Sequence, residues 1–425
     1  MSPATPPAPE LSGQQRRCHI ILLLCAPSPV TCLEKISQIN GVDLPTTRQD
    51  LADVASEIQR FHHLALTADG AAVCRIEGTI LNQRLCFFHV LRRALRASPD
   101  FTRQQGALLL HEGLAAFHRL EASETDGLLQ ALVEQAEVRL RRPFNARDRH
   151  FLCLFIKYCL NHHHQLCHPD FSPQQRHWLR QKSEAAAAAW LAGELCQHFS
   201  LPWREAEEDF LILLLTLLKT HSYDSNDTPE DQRLMEEIHQ LIGRFQQLSG
   251  MSFSSQQGLA GQLFAHMGAA LERCQFDIGI DHTLLAEVVR LYPRLMRTTR
   301  EALAGFEAAY GISLSPEEIG LIAISFGAWL MQDNALQEKQ VLLLTNGNPA
   351  LETAVEQHIR EATLLPLTLR YRPLEQFLSE GAPRGVTLVV SPYACAPDSV
   401  LPTLHITLPL EKAQRLQIRA LLESP

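Results

Sequence analysis

Hydrophobic positions in the first fifth of the chain recur at helical spacing and are interrupted at short intervals. One such run extends from Ser12 to Cys25. Thr31, with Glu34 three residues on, makes a capping-box pattern that predicts a helix over Cys32–Ile39, stopped by Asn40-Gly41. Asp43 is placed to cap a third helix, with Pro45 in its first turn, where proline is tolerated. Leu51, Val54, Ile58 and Phe61 draw one apolar stripe along that helix. The period then changes from that of a helix to that of a strand in LALTADGAAVCRIEG, two alternating runs about Asp69-Gly70, which is a hairpin signal.

From residue 81 to 220 the pattern is helical throughout. THSYDSNDTPEDQ (Thr220–Gln232) predicts a polar linker, and a second helical block follows to about Gln337. Leu191–Leu218 and Leu303–Leu330 share a scheme of helix, short turn, acidic pair and strongly apolar helix. Their offset, about 110 residues, is too long for a solenoid and predicts a duplicated helical domain. In the second copy EIGLIAISFGAWLM (Glu318–Met331) is apolar nearly all round, the pattern of a buried helix, with the hydroxyl of Ser325 in its middle. The last part alternates strand and helix, starting with KQVLLLTNGNPALETAVEQHIREA, and predicts a small parallel α/β domain.

Length and composition narrow the class. The chain has 425 residues, room for several domains, and 46% of them are hydrophobic. The net charge of −9 is uneven: residues 1–100 hold ten Lys/Arg against nine Asp/Glu, while residues 101–150 balance at seven each. The acidic remainder argues against broad coating of nucleic acid and leaves room for one reading head at the N-terminus. Eleven scattered cysteines without CxxC pairing predict reduced thiols. Apolar runs such as FLILLLTLL (Phe210–Leu218) are too short to span a bilayer. MSPATPPAPE predicts a flexible tail over residues 1–10 rather than a leader peptide. A cytoplasmic protein is expected.

Catalytic signals are weak. A triad, a Walker loop and HExxH are all missing, so neither an enzyme nor a cofactor is expected. CLNHHHQLCH (Cys159–His168) would put Cys159, His163 and Cys167 on one face if its helix runs on, yet it lacks the second ligand pair of a closed metal site, and no metal is expected.

The order of three short helices and a hairpin over residues 11–80 resembles a winged helix-turn-helix, whose third helix enters the major groove. Thr46, Thr47, Arg48 and Gln49 would then reach DNA, with Pro45 and Gln49 where that family usually carries arginine. His266–Leu330 resembles a PRD, the regulation domain of the bacterial sugar phosphotransferase system, in His266 with Arg273, FDIGI, LYPRL and YGISLSPEEIGLIAISFGAWL. The full order resembles PRD-containing transcriptional regulators and antiterminators: a winged helix, a degenerate PRD-like block over 81–221, a second over 222–337 and an enzyme IIB-like α/β domain over 338–425. A mainly α fold, a homodimer, and DNA and phosphocarrier HPr or enzyme II components as partners are what this resemblance implies. So is phosphorylation of His266, with Arg273 two turns along the same helix face to meet the phosphate. Ser325 stands where the pattern has a second histidine, and the first block's matching places fall near Phe155–Ile156 and Leu214–Leu215, leaving His150 as an outside candidate. In TNGNPA, Thr345 stands where enzyme IIB carries its cysteine, and Cys395 follows a later strand. The alternative is a degenerate, non-phosphorylated interaction module of the same family.

Overall fold

The computed structural model describes residues 11–27, 29, 32–69, 73–117, 121–219, 228–280, 285–332, 337–394 and 401–423. The predicted tail, Thr31, Gly70 and Cys395 lie outside them. The fold is mainly helical with a small C-terminal sheet. It divides into two compact units, residues 1–219 with 275–279, and residues 220–274 with 280–425. Among the described residues no helix is long and apolar enough to cross a membrane.

The first unit opens on helix Gly13–Cys25, where Ser12 and Gln15 cap each other reciprocally through bonds of 3.0 and 3.3 Å. The next helix is Leu33–Asn40, one residue later than expected, and Cys32 at its start makes no side-chain cap. It stops at Gly41, whose φ of 65° lies in the left-handed region glycine tolerates. Asp43 accepts the Thr46 N–H at 2.9 Å and starts helix Leu44–His62. Strands Ala65–Asp69 and Val73–Glu77 then pair antiparallel.

Helix Ile80–Ala97 lies against Gly13–Cys25, and the core runs on without a break through Ala107–Ala115, Ala122–Leu140, Ala146–His164, Ala185–His198 and Glu205–Leu217. Stacked rings such as Phe87 on Tyr158, centroids 3.9 Å apart, fill its centre. The first helices therefore share one core with the block behind them. Residues 275–279 pack in the same unit: the Phe276 ring meets Trp178 at 5.4 Å, and the Gly279 N–H donates to the Phe61 carbonyl at 3.2 Å. A Cβ on Gly279 would lie 2.7 Å from the Phe61 Cα, so only glycine fits this approach.

The second unit begins with helix Pro229–Ser249. Thr228 and Asp231 form its capping box, so the helix starts inside the stretch expected to be linker, whose residues 220–227 are outside the described set. Gln256–Gln275, Leu285–Leu291, Pro293–Tyr310 and Pro316–Gln332 complete the helical part. The sheet is parallel, with strand Lys339–Thr345 between Leu367–Pro373 and Leu388–Ser391, and Thr403–His405 at the edge. Alternation splits its faces: Val341, Leu343, Leu388 and Val390 join the core of the helices, whereas Leu342, Leu344 and Val389 pack with Phe377 and Val386.

Candidate phosphoacceptor site

Two helices of the second unit build the site. Gln262, His266 and Arg273 recur on one face of Gln256–Gln275 at steps of four and seven residues. Glu318, Ser325 and Trp329 meet that face from Pro316–Gln332. At one end the Trp329 Nε1–H donates to Gln262 Oε1 at 2.6 Å, and Gln262 Nε2 lies 3.5 Å from Ser325 Oγ. At the other end Arg273 donates twice to the Glu318 carboxylate, its Nη2 at 3.0 Å from Oε2 and its Nε closer still.

His266 lies between these levels and is half-buried. Its pKa falls below the ordinary histidine value, because burial disfavours the charged ring and the Arg273 cation adds to that, with Glu318 opposing. At neutral pH the ring is uncharged and keeps a lone pair on one nitrogen, which is what a nucleophilic imidazole needs. Ser325 is 3% exposed and its hydroxyl donates to the Leu321 carbonyl at 3.1 Å, so it serves the helix interior.

The first unit holds the counterpart expected near Phe155 and Leu214, with a buried ion pair that sequence reasoning missed. Shifting back by 111 residues carries His266 to Phe155, Arg273 to His162, Glu318 to Glu207 and Ser325 to Leu214. Phe155 and Leu214 are fully buried, and no acceptor stands there. The carboxylate survives: Arg84, fully buried, grips Glu207 at 2.7 and 2.8 Å, and His168 Nδ1 joins it at 2.9 Å. Burial pushes the Glu207 carboxyl up, but the Arg84 charge and these bonds outweigh it and hold the pKa below the ordinary value. His162 is pushed down to about 3, mostly by burial and then by Arg84. His150 is exposed on helix Ala146–His164.

That helix ends at His164, so Cys167 leaves the face of Cys159 and His163 and the continuation a metal site would need does not occur. Among the described residues no group of three His, Cys, Asp or Glu is placed to hold a metal.

In the C-terminal sheet Thr345 ends the first strand, ahead of helix Pro349–Ala362. The turn between them offers backbone N–H groups, the raw material of an anion cradle. Glu352 already occupies it: its Oε1 accepts from Asn346 N at 2.9 Å, Asn348 N at 3.4 Å and the Tyr393 hydroxyl at 3.0 Å.

At the N-terminal helices one expectation is corrected. Thr47 is fully buried and its hydroxyl donates to the Asp43 carbonyl at 2.9 Å, so it cannot reach a groove. Thr46 is half-exposed; Arg48 and Gln49 are exposed, with Gln49 donating to Asp53 at 2.9 Å. The other arginines nearby turn inward: Arg16 pairs with Asp50 at 2.6 Å and Arg93 with Glu57 at 2.6 Å.

Comparison with known proteins places this geometry. The chain is 42% identical to the stationary phase-inducible protein CsiE of Escherichia coli (strain K12) over 429 residues, covering 100% of both chains. It belongs to the CsiE family. The family model for the CsiE C-terminal domain matches residues 339–422, the sheet and its helices. A PRD domain model matches residues 239–329, which hold His266, Arg273, Glu318 and Ser325. Transcriptional regulator ManR of Bacillus subtilis (strain 168) is 20% identical over 414 residues, covering 90% of this chain and 60% of that protein. This CsiE relative thus carries a PRD domain ahead of its CsiE C-terminal domain.

Proposed function

We propose that this protein is a transcription-regulator-like member of the CsiE family whose second helical block takes a phosphoryl group on His266 from the sugar phosphotransferase system. The observation that carries the reading is His266 itself: neutral, half-buried rather than sealed, and under the charges of Arg273 and Glu318. ManR is a transcriptional regulator by name, and its similarity extends over most of this chain. Expression in stationary phase is carried over from the name of the Escherichia coli relative. Incubation of the full chain with HPr, enzyme I and phosphoenolpyruvate is expected to give acid-labile phosphate that His266→Ala loses. Equal labelling of that variant removes the proposal.

DNA binding through a winged helix is the second half of the reading. Helices Gly13–Cys25, Leu33–Asn40 and Leu44–His62 followed by the hairpin support it, with Thr46, Arg48 and Gln49 as the side chains able to reach. A homodimer is proposed on kinship alone.

A docking-only interaction module is the alternative. It is favoured by the occupied cradle at Glu352 and by the apolar residues at the first block's acceptor places. It predicts no labelling but a stable complex with a phosphotransferase component in a pull-down.

A further inference from the structure

The charges around His266 form a closed circuit. Arg273 commits its Nε–H and one Nη2–H to Glu318, out of five N–H donors in its fork. The Glu318 side chain is only 6% exposed, while Arg273 keeps 20% and can still swing. Glu318 also sits in the first turn of Pro316–Gln332, where its own N–H donates to Ser315 Oγ at 3.2 Å. A phosphoryl group on the His266 ring brings about two negative charges and three strong acceptor oxygens to this face. Arginine prefers such a dianion for its bidentate geometry and charge. Glu318 would then be repelled, and a buried carboxylate stripped of its cation has to turn toward water.

We propose that Arg273 is a two-position clamp. It holds Glu318 while His266 is bare and moves to the phosphoryl group when His266 carries one, unlatching the start of helix Pro316–Gln332. This deepens the phosphoacceptor reading and rests on it. In the transfer the donor's phosphohistidine N–P bond breaks and the donor nitrogen keeps that electron pair and takes up a proton. The His266 lone pair forms the new N–P bond, and the ring releases the proton on its other nitrogen. The first block is the clamp without its trigger: Arg84 holds Glu207 permanently, because Phe155 stands at the acceptor place.

Hydrogen exchange with mass spectrometry on the full chain tests the clamp, with phosphorylated HPr as donor. Phosphorylation is expected to speed exchange of the Glu317–Ile322 amides about tenfold, the scale of one lost charged hydrogen bond. Glu318→Gln is expected to exchange fast without donor and to gain nothing further on labelling. His266→Glu, which sets a fixed charge at the ring's position, is expected to exchange fast with no donor at all. Labelled His266 with unchanged exchange overturns the clamp and leaves the phosphoacceptor reading standing. An absence of label overturns that reading, and unchanged exchange in His266→Glu overturns the clamp whatever the labelling shows.

Discussion

Glu207 and Arg84 are joined across 123 residues of chain, with side chains 11% and 0% exposed. Removing one partner strands a buried charge, so Glu207→Ala is expected to cost the first unit about 3–5 kcal/mol in urea unfolding. A loss below about 1 kcal/mol would show the pair to be idle. Two deeply buried imidazoles of the first unit set a pH window. His62 and His162 are both pushed down to about 3, by burial first in each case. Between about pH 6.5 and 3 the unfolded chain binds protons there that the native state refuses, so stability is full above about 6.5 and falls as pH drops through that window. Unfolding midpoints that stay flat from pH 7 to 4 would contradict this. The Glu352 plug is also testable: Glu352→Ala removes the acceptor of two exposed N–H groups, which water can solvate, and is expected to cost about 0.5–1.5 kcal/mol, part of it restored by sulfate in the emptied cradle. At this scale the sequence shows only local partners. His266 and Arg273 on one face were legible from their spacing, whereas Glu318, 45 residues from Arg273, and Glu207, far from Arg84, pair through tertiary structure that no window contains.

Helix starts were the most legible feature at the scale of elements, because caps are local chemistry. Asp43 and Pro45 stand where the third helix needs them, whereas the second helix starts at Cys32 without a side-chain cap. The same chemistry misled at Thr228–Asp231, where a capping box rich in polar residues passed for the end of a linker. The stripe on Leu44–His62 was visible, but Thr47 was not recognised as interior: its hydroxyl bonds back to Asp43, so a polar residue could sit at 0% exposure. Gly279 shows the other limit, since nothing in FDIGI tells that the backbone of Phe61 closes on it. Gly279→Ala is expected to destabilise the first unit by about 1–3 kcal/mol in denaturant unfolding through that clash. An unchanged midpoint would mean that the approach relaxes freely.

For the whole molecule, the change to α/β character at the end of the chain was legible from the alternation of strand and helix patterns. The continuity of the N-terminal helices with the block behind them was not, because helices drawn one by one do not reveal which faces they share. The arginines spent on Asp50 and Glu57 set the expected character of DNA binding. With Lys35 and Arg48 among the few exposed cations of the first three helices, two or three phosphate contacts per head give a log-affinity slope against log salt of about −2 to −3. Selection from random duplexes with the full chain measures it. A slope steeper than about −6, or binding without sequence preference, would contradict a groove-reading head.

The central claim is the proposal that His266 accepts a phosphoryl group. Mass spectrometry under alkaline conditions, which preserve phosphoramidates, tests it most directly on the full chain incubated with phosphorylated HPr. The account predicts one added phosphoryl group, placed on His266. Phosphate on another residue instead, or a chain that stays unmodified while the donor remains charged, would contradict it.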